Sequence, residues 1–550
     1  MKRTAAVGIV VLAAVALAAC TPGSAASHAP SEEGSSVTAV VPLPASQKAD
    51  ASAKPFTLGT SSTVRTEATD AEATARLAVQ LLGAATGLRL QTASGAGSAH
   101  DVVLRIAAGA SPESYTLQAS AAGVTITGAD EAGLFYGVQT LTQLLRERDG
   151  TWQAEATEIS DHPRFAYRGA MLDVARHFFP VDVVKHYIDD ASSLKLNVLH
   201  LHLTDDQGWR IRIDSRPKLT ERASTTSMSG DPGGFYTKAD FADIVAYAAS
   251  RHMTVVPEID LPGHTHAVGL AYPELAEAPV ITDEMKKFNQ QIPVAGEPYT
   301  GDAVGFSSLK IHDEATYTFV EDVVRELAVM TPGPYIHIGG DEPHSIAPAD
   351  YRLFVDRVTK IVADAGKTPV AWHEAGASTG IAPSTVGQYW GFRTPTDGMD
   401  DQARTFVENG AKVVMSPADA AYLDMKYDAS TALGLTWANG PTSVERSYSW
   451  EPTKIVDGIG EQSILGVEAP LWSETLRTAD DIDEMAFPRL ASAAEIAWSP
   501  APAAHSSAES APDAERTWSG FRARVGQLGP LWTREGIHFF ASPEIDWAAR

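Results

Sequence analysis

Two neighbouring acids, Asp341 and Glu342, follow the apolar run Tyr335-Ile336-His337-Ile338 and the pair Gly339-Gly340. Consecutive residues at a strand end project in different directions, so the two carboxyls can address different atoms of one ligand. Gly339 and Gly340 let the backbone come close to that ligand, and Pro343 predicts an extended conformation for Glu342. One carboxyl to move a proton and one to orient or stabilise charge is what acid–base chemistry on a neutral substrate needs. An Asp-Glu pair alone is more often a solvated turn or a helix cap, so its company decides. Tryptophans offer flat apolar faces for the C–H side of a sugar ring, while carboxylates and arginine hydrogen-bond its hydroxyls. Among the residues near predicted strand ends, Trp372, Trp390 and Trp472 are of the first kind, and Asp424 and Glu474 of the second. His200 and His202 share one side of a strand and could hold a metal. Satisfied histidines are common in polar barrel interiors, and no metal or other cofactor is expected.

These residues need a scaffold that gathers them. Short apolar strands start near Tyr167, Asn197, Thr254, Tyr335, Pro369, Val386, Lys412 and Ile464, and amphipathic helices alternate with them. The helix after Pro180 carries Val184, Tyr187, Ile188, Ala191 and Leu194 on one side; another carries Phe354, Val358, Ile361 and Ala365 and closes at Gly366. The repeat predicts an α/β chain whose residues 161–550 form a (β/α)8 TIM barrel, with chemistry at the C-terminal ends of the strands. The polar residues do collect there: Asp173 to His177, His200 to Gln207, Glu258 to His264, His337 to Glu342, Trp372 to Glu374, Trp390, Tyr422 to Asp424, and Trp472 to Glu474. Residues 41–160 read as a small α+β domain of structural role. In it Ala73, Leu77, Leu81 and Ala84 face one way before a stop at Gly87. Strands follow at Val102–Leu104 and from Tyr115 to Ile126, broken near Gly123. Asp130 then caps a helix faced by Leu134, Val138, Leu141 and Leu145.

The chain of 550 residues carries 43 Lys and Arg against 69 Asp and Glu, a formal charge of −26, which disfavours nucleic acid as a partner. At 44% hydrophobic and 20% charged it is of globular composition. Lys2 and Arg3 precede an apolar stretch, Ala5 to Ala19, that is short for a membrane span. It ends in Leu17-Ala18-Ala19-Cys20, which resembles a bacterial lipobox. Cys20, the single cysteine, is thus the expected lipidation site after a signal over 1–20, with a flexible tether over 21–40. The protein is therefore expected to be exported and either anchored through that lipid or, if the segment is a plain signal, secreted.

The ordered set of strand-end motifs resembles glycoside hydrolase family 20, the β-N-acetylhexosaminidases. It comprises Tyr167-Arg168-Gly169 with Asp173 and Arg176-His177-Phe178, His200 to Arg210, Pro262-Gly263-His264, His337 to Glu342, Tyr422-Leu423-Asp424 and Trp472-Ser473-Glu474. Ala132 to Thr140 resembles the family's N-terminal domain. The resemblance implies exo-acting release of terminal N-acetylglucosamine or N-acetylgalactosamine from glycans or chitooligosaccharides. Glu342 is then the general acid, and the substrate's own acetamide is the nucleophile. Asp341 orients the acetamide N–H, and Tyr422 bonds its oxygen. Arg168, Asp424 and Glu474 hold ring hydroxyls, and Trp372, Trp390, Trp450 and Trp472 wall the ring and acetamide methyl. Asp205 and His264 form a relay beneath the acid, and His337 supports the pair. Two alternatives stay open: a lacto-N-biosidase releasing a disaccharide, and a glycan-binding lipoprotein without turnover. The long loop from about Ala276 to Leu309 has no disulfide to order it.

Overall fold

A computed structural model describes residues 40–67, 69–107, 109–288, 290–502 and 516–548. Eight parallel strands close into a barrel: β1 (Tyr167–Asp173), β2 (Val198–His202), β3 (Thr254–Glu258), β4 (Tyr335–His337), β5 (Thr368–Trp372), β6 (Val386–Tyr389), β7 (Val413–Met415) and β8 (Ile464–Ala469). The period of two along each strand sorts residues between the interior and the helical layer. Tyr167, Val198, Val256, Val370, Val386 and Val414 form an apolar plug at the strand starts. Two residues further on, the interior turns polar, with His200, Glu258, His337, Gln388 and Glu468 all buried. The register sets Asp173 beside His202, His202 beside Glu258, and Glu258 beside His337. Gly169 makes room for this layer, since a Cβ there would lie 2.5 Å from Glu468 Oε2.

The helices after β1 (Val181–Ser193) and β4 (Pro348–Asp364) bury the predicted Val184, Tyr187, Ile188 and Ala191, and Phe354 and Val358. The fifth unit departs from the repeat: a 3-10 turn, His373–Ala377, is the only helical element between β5 and β6. The loop between Ala276 and Leu309 is closed at its base by a bridge between those two residues. It builds a core of its own from Met285, Tyr299, Ala303 and Phe306.

The N-terminal domain is a seven-stranded mixed sheet with a three-stranded ribbon. Helices Glu72–Thr86 and Glu131–Leu144 pack on the sheet and on each other. The segment broken at Gly123 is a hairpin of Tyr115–Ser120 and Gly123–Gly128. Asp130 caps the second helix through Gly133 N–H at 2.8 Å. Helix 72–86 ends at Gly87 with φ 73°, but its buried face is Thr74, Ala75, Ala78, Leu82 and Ala85. The expected face, Ala73, Leu77, Leu81 and Ala84, is one residue out of phase. The small Ala75 and Ala78 let the helix approach the sheet, leaving Leu77 and Leu81 at the rim of that core. Val40, at the end of the expected tether, is fully buried. Residues 1–39, with the signal and Cys20, lie outside the described residues. Among the described residues no helix is long and apolar enough to cross a membrane.

Candidate active site

Asp341 and Glu342 leave β4 through a turn that the chain can make only with glycine. Gly339 has φ 68° and Gly340 φ 98°, and a Cβ on Gly339 would lie 1.7 Å from Asp260 Oδ1. Glu342 itself is left-handed at φ 47° rather than extended, so the expectation drawn from Pro343 is overturned. The local preference set by proline yields to tertiary contacts: Gly305 packs on His344, and His344 N–H bonds back to Glu342 O. Across the pocket His264 is also left-handed, at φ 54°, and its Nε2 stands 3.5 Å from Glu342 and 3.6 Å from Asp341. Such backbone costs about 1–3 kcal/mol per residue and persists where the surroundings over-determine it.

A chain of alternating acids and imidazoles supports this pair from below. Glu468 meets His200 Nδ1 at 2.8 Å, and His200 Nε2 stands 3.1 Å from Glu258. Glu258 accepts from His202 Nδ1 at 2.6 Å, and His202 Nε2 meets Asp205 at 2.8 Å. Asp205 Oδ1 then lies 3.1 Å from His264 Nδ1. Burial works against charge on these imidazoles, but Glu468 and Glu258 hold His200 up at about 10, and Glu258 and Asp205 hold His202 up at about 9. Asp205 and Asp341 likewise lift His264 well above the imidazole range against its burial. His200 and His202 thus each direct both ring nitrogens at carboxylates. His337 is different: burial lowers it, and its Nδ1 accepts from Gly339 N–H at 3.0 Å, which braces the turn beneath the acids.

The acids themselves are proton-rich. Burial, then the charges of Glu374 and Glu342, push Asp341 up to about 6 against the pull of His264. Asp260 beside it is raised well above the carboxylate range, by burial and the Asp341 charge. Asp424 is buried with neither carboxylate oxygen hydrogen-bonded among the described residues, and burial and Glu474 raise it strongly. Glu474 is pushed up to about 7, by burial and Asp173, opposed by Arg176. Acceptors left unpaired this way fit the hydroxyls of a polar ligand.

Aromatic side chains enclose the space above. Trp372 and Trp472 lie 6.0 Å apart, Trp472 and Tyr422 6.1 Å, Tyr422 and Trp437 5.8 Å, and Trp437 and Trp390 5.9 Å. Trp372 is fixed by its indole N–H to Glu258 at 2.9 Å, and Trp390 by its own to Glu374 at 2.9 Å.

Comparisons with known proteins agree on one family for this chain. Residues 165–501 match the model of the glycosyl hydrolase family 20 catalytic domain, and residues 37–162 that of the family's domain 2. The chain belongs to glycosyl hydrolase family 20. It is 43% identical over 477 residues to a Cellulomonas fimi beta-N-acetylhexosaminidase, covering 86% of this chain and 89% of that one. Among solved structures, it superposes on a family 20 beta-N-acetylglucosaminidase with TM-score 0.85 and 58% identity, over 93% of this chain and all of the other. It also superposes on a mutant Streptomyces plicatus beta-hexosaminidase in complex with GlcNAc, with TM-score 0.83 and 44% identity, over 93% of this chain and 98% of that one.

Within this family 20 site the structure brings together Asp341, Glu342, Tyr422, Asp424, Glu474, Trp372, Trp390, Trp472, Asp205, His264 and His337. It does not bring Arg168. That residue starts β1, so its side chain lies at the opposite end of the barrel, paired with Glu113 at 3.0 Å and bonded to Tyr136, Lys195 O and Phe165 O. The arginine at the mouth is Arg176, three residues beyond β1. It pairs with Asp205 at 2.8 Å and lies 4.8 Å over the Trp472 ring. Trp450 is misplaced as well: it is buried behind helix Val444–Tyr448, bonding Ser447 O. Trp437, 47% exposed, takes the wall position expected of it. The strand-end rule itself marks Arg176 over Arg168; Trp437 sits in a loop with no such marker.

Two features after the fifth strand carry no role read from the sequence. Glu374 lines the pocket beside Trp390. Gly376-Ala377-Ser378-Thr379-Gly380 has the spacing that frames serine nucleophiles. Ser378, however, donates to Asp356 at 2.6 Å on the outer helix and meets no histidine among the described residues. Of the long loop, residues 297–307 reach the site: Glu297 O meets His266 at 2.8 Å, Gly301 O accepts from Gln207, and Ser307 bonds Asp206 at 2.6 Å.

Proposed function

We infer that this family 20 enzyme is an exo-acting β-N-acetylhexosaminidase that removes terminal N-acetylhexosamine by acetamide-assisted catalysis. The observation that carries the reading is the Asp341–Glu342 pair, both within 3.6 Å of His264 and roofed by five aromatic rings. Glu342 donates its proton to the glycosidic oxygen as the bond from that oxygen to the anomeric carbon breaks. The acetamide oxygen forms a new bond to that carbon, and an oxazolinium ring results. Asp341 accepts the acetamide N–H and stabilises its positive charge, which requires Asp341 ionised; Tyr422 holds the acetamide oxygen in line. Water then gives a proton to Glu342 and opens the ring, so the β configuration is retained. His264, held in place through Asp205 and Arg176, stabilises the carboxylate that Glu342 becomes. Asp424, Glu474 and Arg176 bind ring hydroxyls, and Trp372, Trp390, Trp437 and Trp472 form the wall.

The buried Asp424 and half-buried Glu474 favour a closed pocket for one sugar rather than disaccharide release. The test is hydrolysis of p-nitrophenyl N-acetyl-β-glucosaminide, its galacto epimer and the plain β-glucoside. Cleavage of either acetamido substrate with none of the glucoside supports the mechanism. Equal cleavage of the glucoside overturns acetamide assistance, and silence on all three overturns exo-hydrolysis in favour of disaccharide release or binding.

The sequence supports export and a lipid on Cys20. Incorporation of labelled fatty acid into the chain, lost in Cys20→Ser, is the expected result; no incorporation overturns it.

A further inference from the structure

Glu374 is a carboxyl of the pocket to which the mechanism above gives no task. It stands at the first turn after β5, two residues beyond Trp372, and its Oε2 accepts the Trp390 indole N–H at 2.9 Å. Trp390 belongs to the next strand's end, so this bond ties two walls of the cup together. The same carboxylate lies against the Glu342 backbone amide, and its charge acts on Asp341 and Glu342. The other ionisable groups facing it are His373, with Nδ1 3.5 Å away, Tyr351 of helix Pro348–Asp364, and Tyr422. Burial drives His373 down to about 3, so it is a neutral neighbour. No cation compensates Glu374 in this set. A further carboxyl beside the Asp341–Glu342 pair, without a compensating cation, is costly for folding. A purely structural partner for an indole N–H needs no charge, since a backbone carbonyl or an amide serves.

We propose that Glu374 is a positioning residue of this reaction: through its bond to the Trp390 indole it fixes that wall of the cup beside Asp341 and Glu342. The proposal rests on the hydrolase reading for its kinetic arm and not for its spectroscopic one. In support, burial places Glu374 itself at about 7, so its charge changes across the range where the enzyme would work. With Glu374 charged, Asp341 binds its proton more tightly. Neutralising Glu374 therefore lets Asp341 ionise at lower pH.

Two variants separate the tasks. Glu374→Gln keeps an acceptor for the Trp390 N–H and removes the charge; Glu374→Ala removes both. The expected result for Glu374→Gln is a KM within about twofold of wild type, with the acid limb of kcat/KM shifted to lower pH by about half a unit or more. Glu374→Ala is expected to show the same shift and a KM raised about tenfold. Independently of turnover, the Trp390 indole N–H resonance, assigned by its loss in Trp390→Phe, is expected to titrate near pH 7 in wild type and not in Glu374→Gln. A Trp390 resonance that titrates identically in wild type and Glu374→Gln overturns the link between the two residues. An unchanged acid limb in Glu374→Gln overturns the electrostatic role, leaving an ordinary structural bond. If wild type cleaves no substrate while the resonance titrates as expected, the hydrolase reading fails and the Glu374–Trp390 link stands.

Discussion

At the starts of the barrel strands, Arg168 and Lys195 are as buried as any charged residue at the strand ends, yet they have every partner they need. Arg168 has the Glu113 carboxylate, the Tyr136 hydroxyl and two backbone carbonyls. Lys195 has Asp161 and the Tyr115 hydroxyl, each at 2.9 Å, with the Trp498 ring 4.7 Å away. Glu113, Tyr115, Tyr136 and Asp161 all come from the N-terminal domain, so this cluster stitches the two domains together. At the mouth the balance reverses. Asp206, Asp260, Asp341, Asp424 and Glu474 each keep a buried carboxylate oxygen with no hydrogen bond among the described residues. Paired charge at one end holds the fold, and underpaired charge at the other supplies acids and acceptors for a substrate. The same residue types serve opposite ends because their neighbours differ.

The largest effect should come from the mouth. Glu342→Gln is expected to lower kcat roughly 10³-fold with little change in KM or melting temperature. A fall in stability of the size of the activity loss would show that the pair is structural. The two arginines sharpen the contrast. Arg168→Met leaves the half-buried Glu113, the Tyr136 hydroxyl and two backbone carbonyls without their donor and is expected to destabilise the fold by about 3–5 kcal/mol, with kcat/KM of the folded fraction unchanged. Arg176→Gln is expected to cost about 10²-fold in kcat/KM, read in the same pair of assays. If Arg168→Met alters specificity instead, the assignment of that end to structure is wrong.

The tryptophans make the same test more gently. Trp450→Ala opens a core cavity and is expected to cost about 3–5 kcal/mol of stability without raising KM. Trp437→Ala, at an exposed wall, is expected to raise KM about tenfold and leave the melting temperature unchanged.

The smallest effect is on the pH dependence of stability. Glu474 sits at about 7 in the fold against an ordinary value of 4.5. The folded state therefore binds more protons than the unfolded one between those values, and stability falls as pH rises through that window. Glu474→Gln is expected to flatten this decline in pH-dependent thermal melts. A slope unchanged by the substitution would mean that Glu474 is already compensated.

Much of this was legible in the chain. Strand starts were readable to within one residue because a parallel strand buried on both faces is a short apolar run between turns. The polar residues after each run marked the catalytic end, and with it Asp341, Glu342, Tyr422, Asp424 and Glu474. Where a helix face was read from its largest apolar residues, as at Leu77 and Leu81, the phase slipped, because closeness to the sheet selected alanines. Local backbone preference also failed at Glu342, where packing against the long loop overrides Pro343.

Sequence alone determined the repeat, the carboxyl pair and the family, since these rest on patterns of nearby residues. Only the tertiary structure decided that Trp437 and not Trp450 walls the mouth, and that Glu374 bonds Trp390 there. Each of those depends on contacts between residues far apart in the chain, whose distances barrel closure and register set.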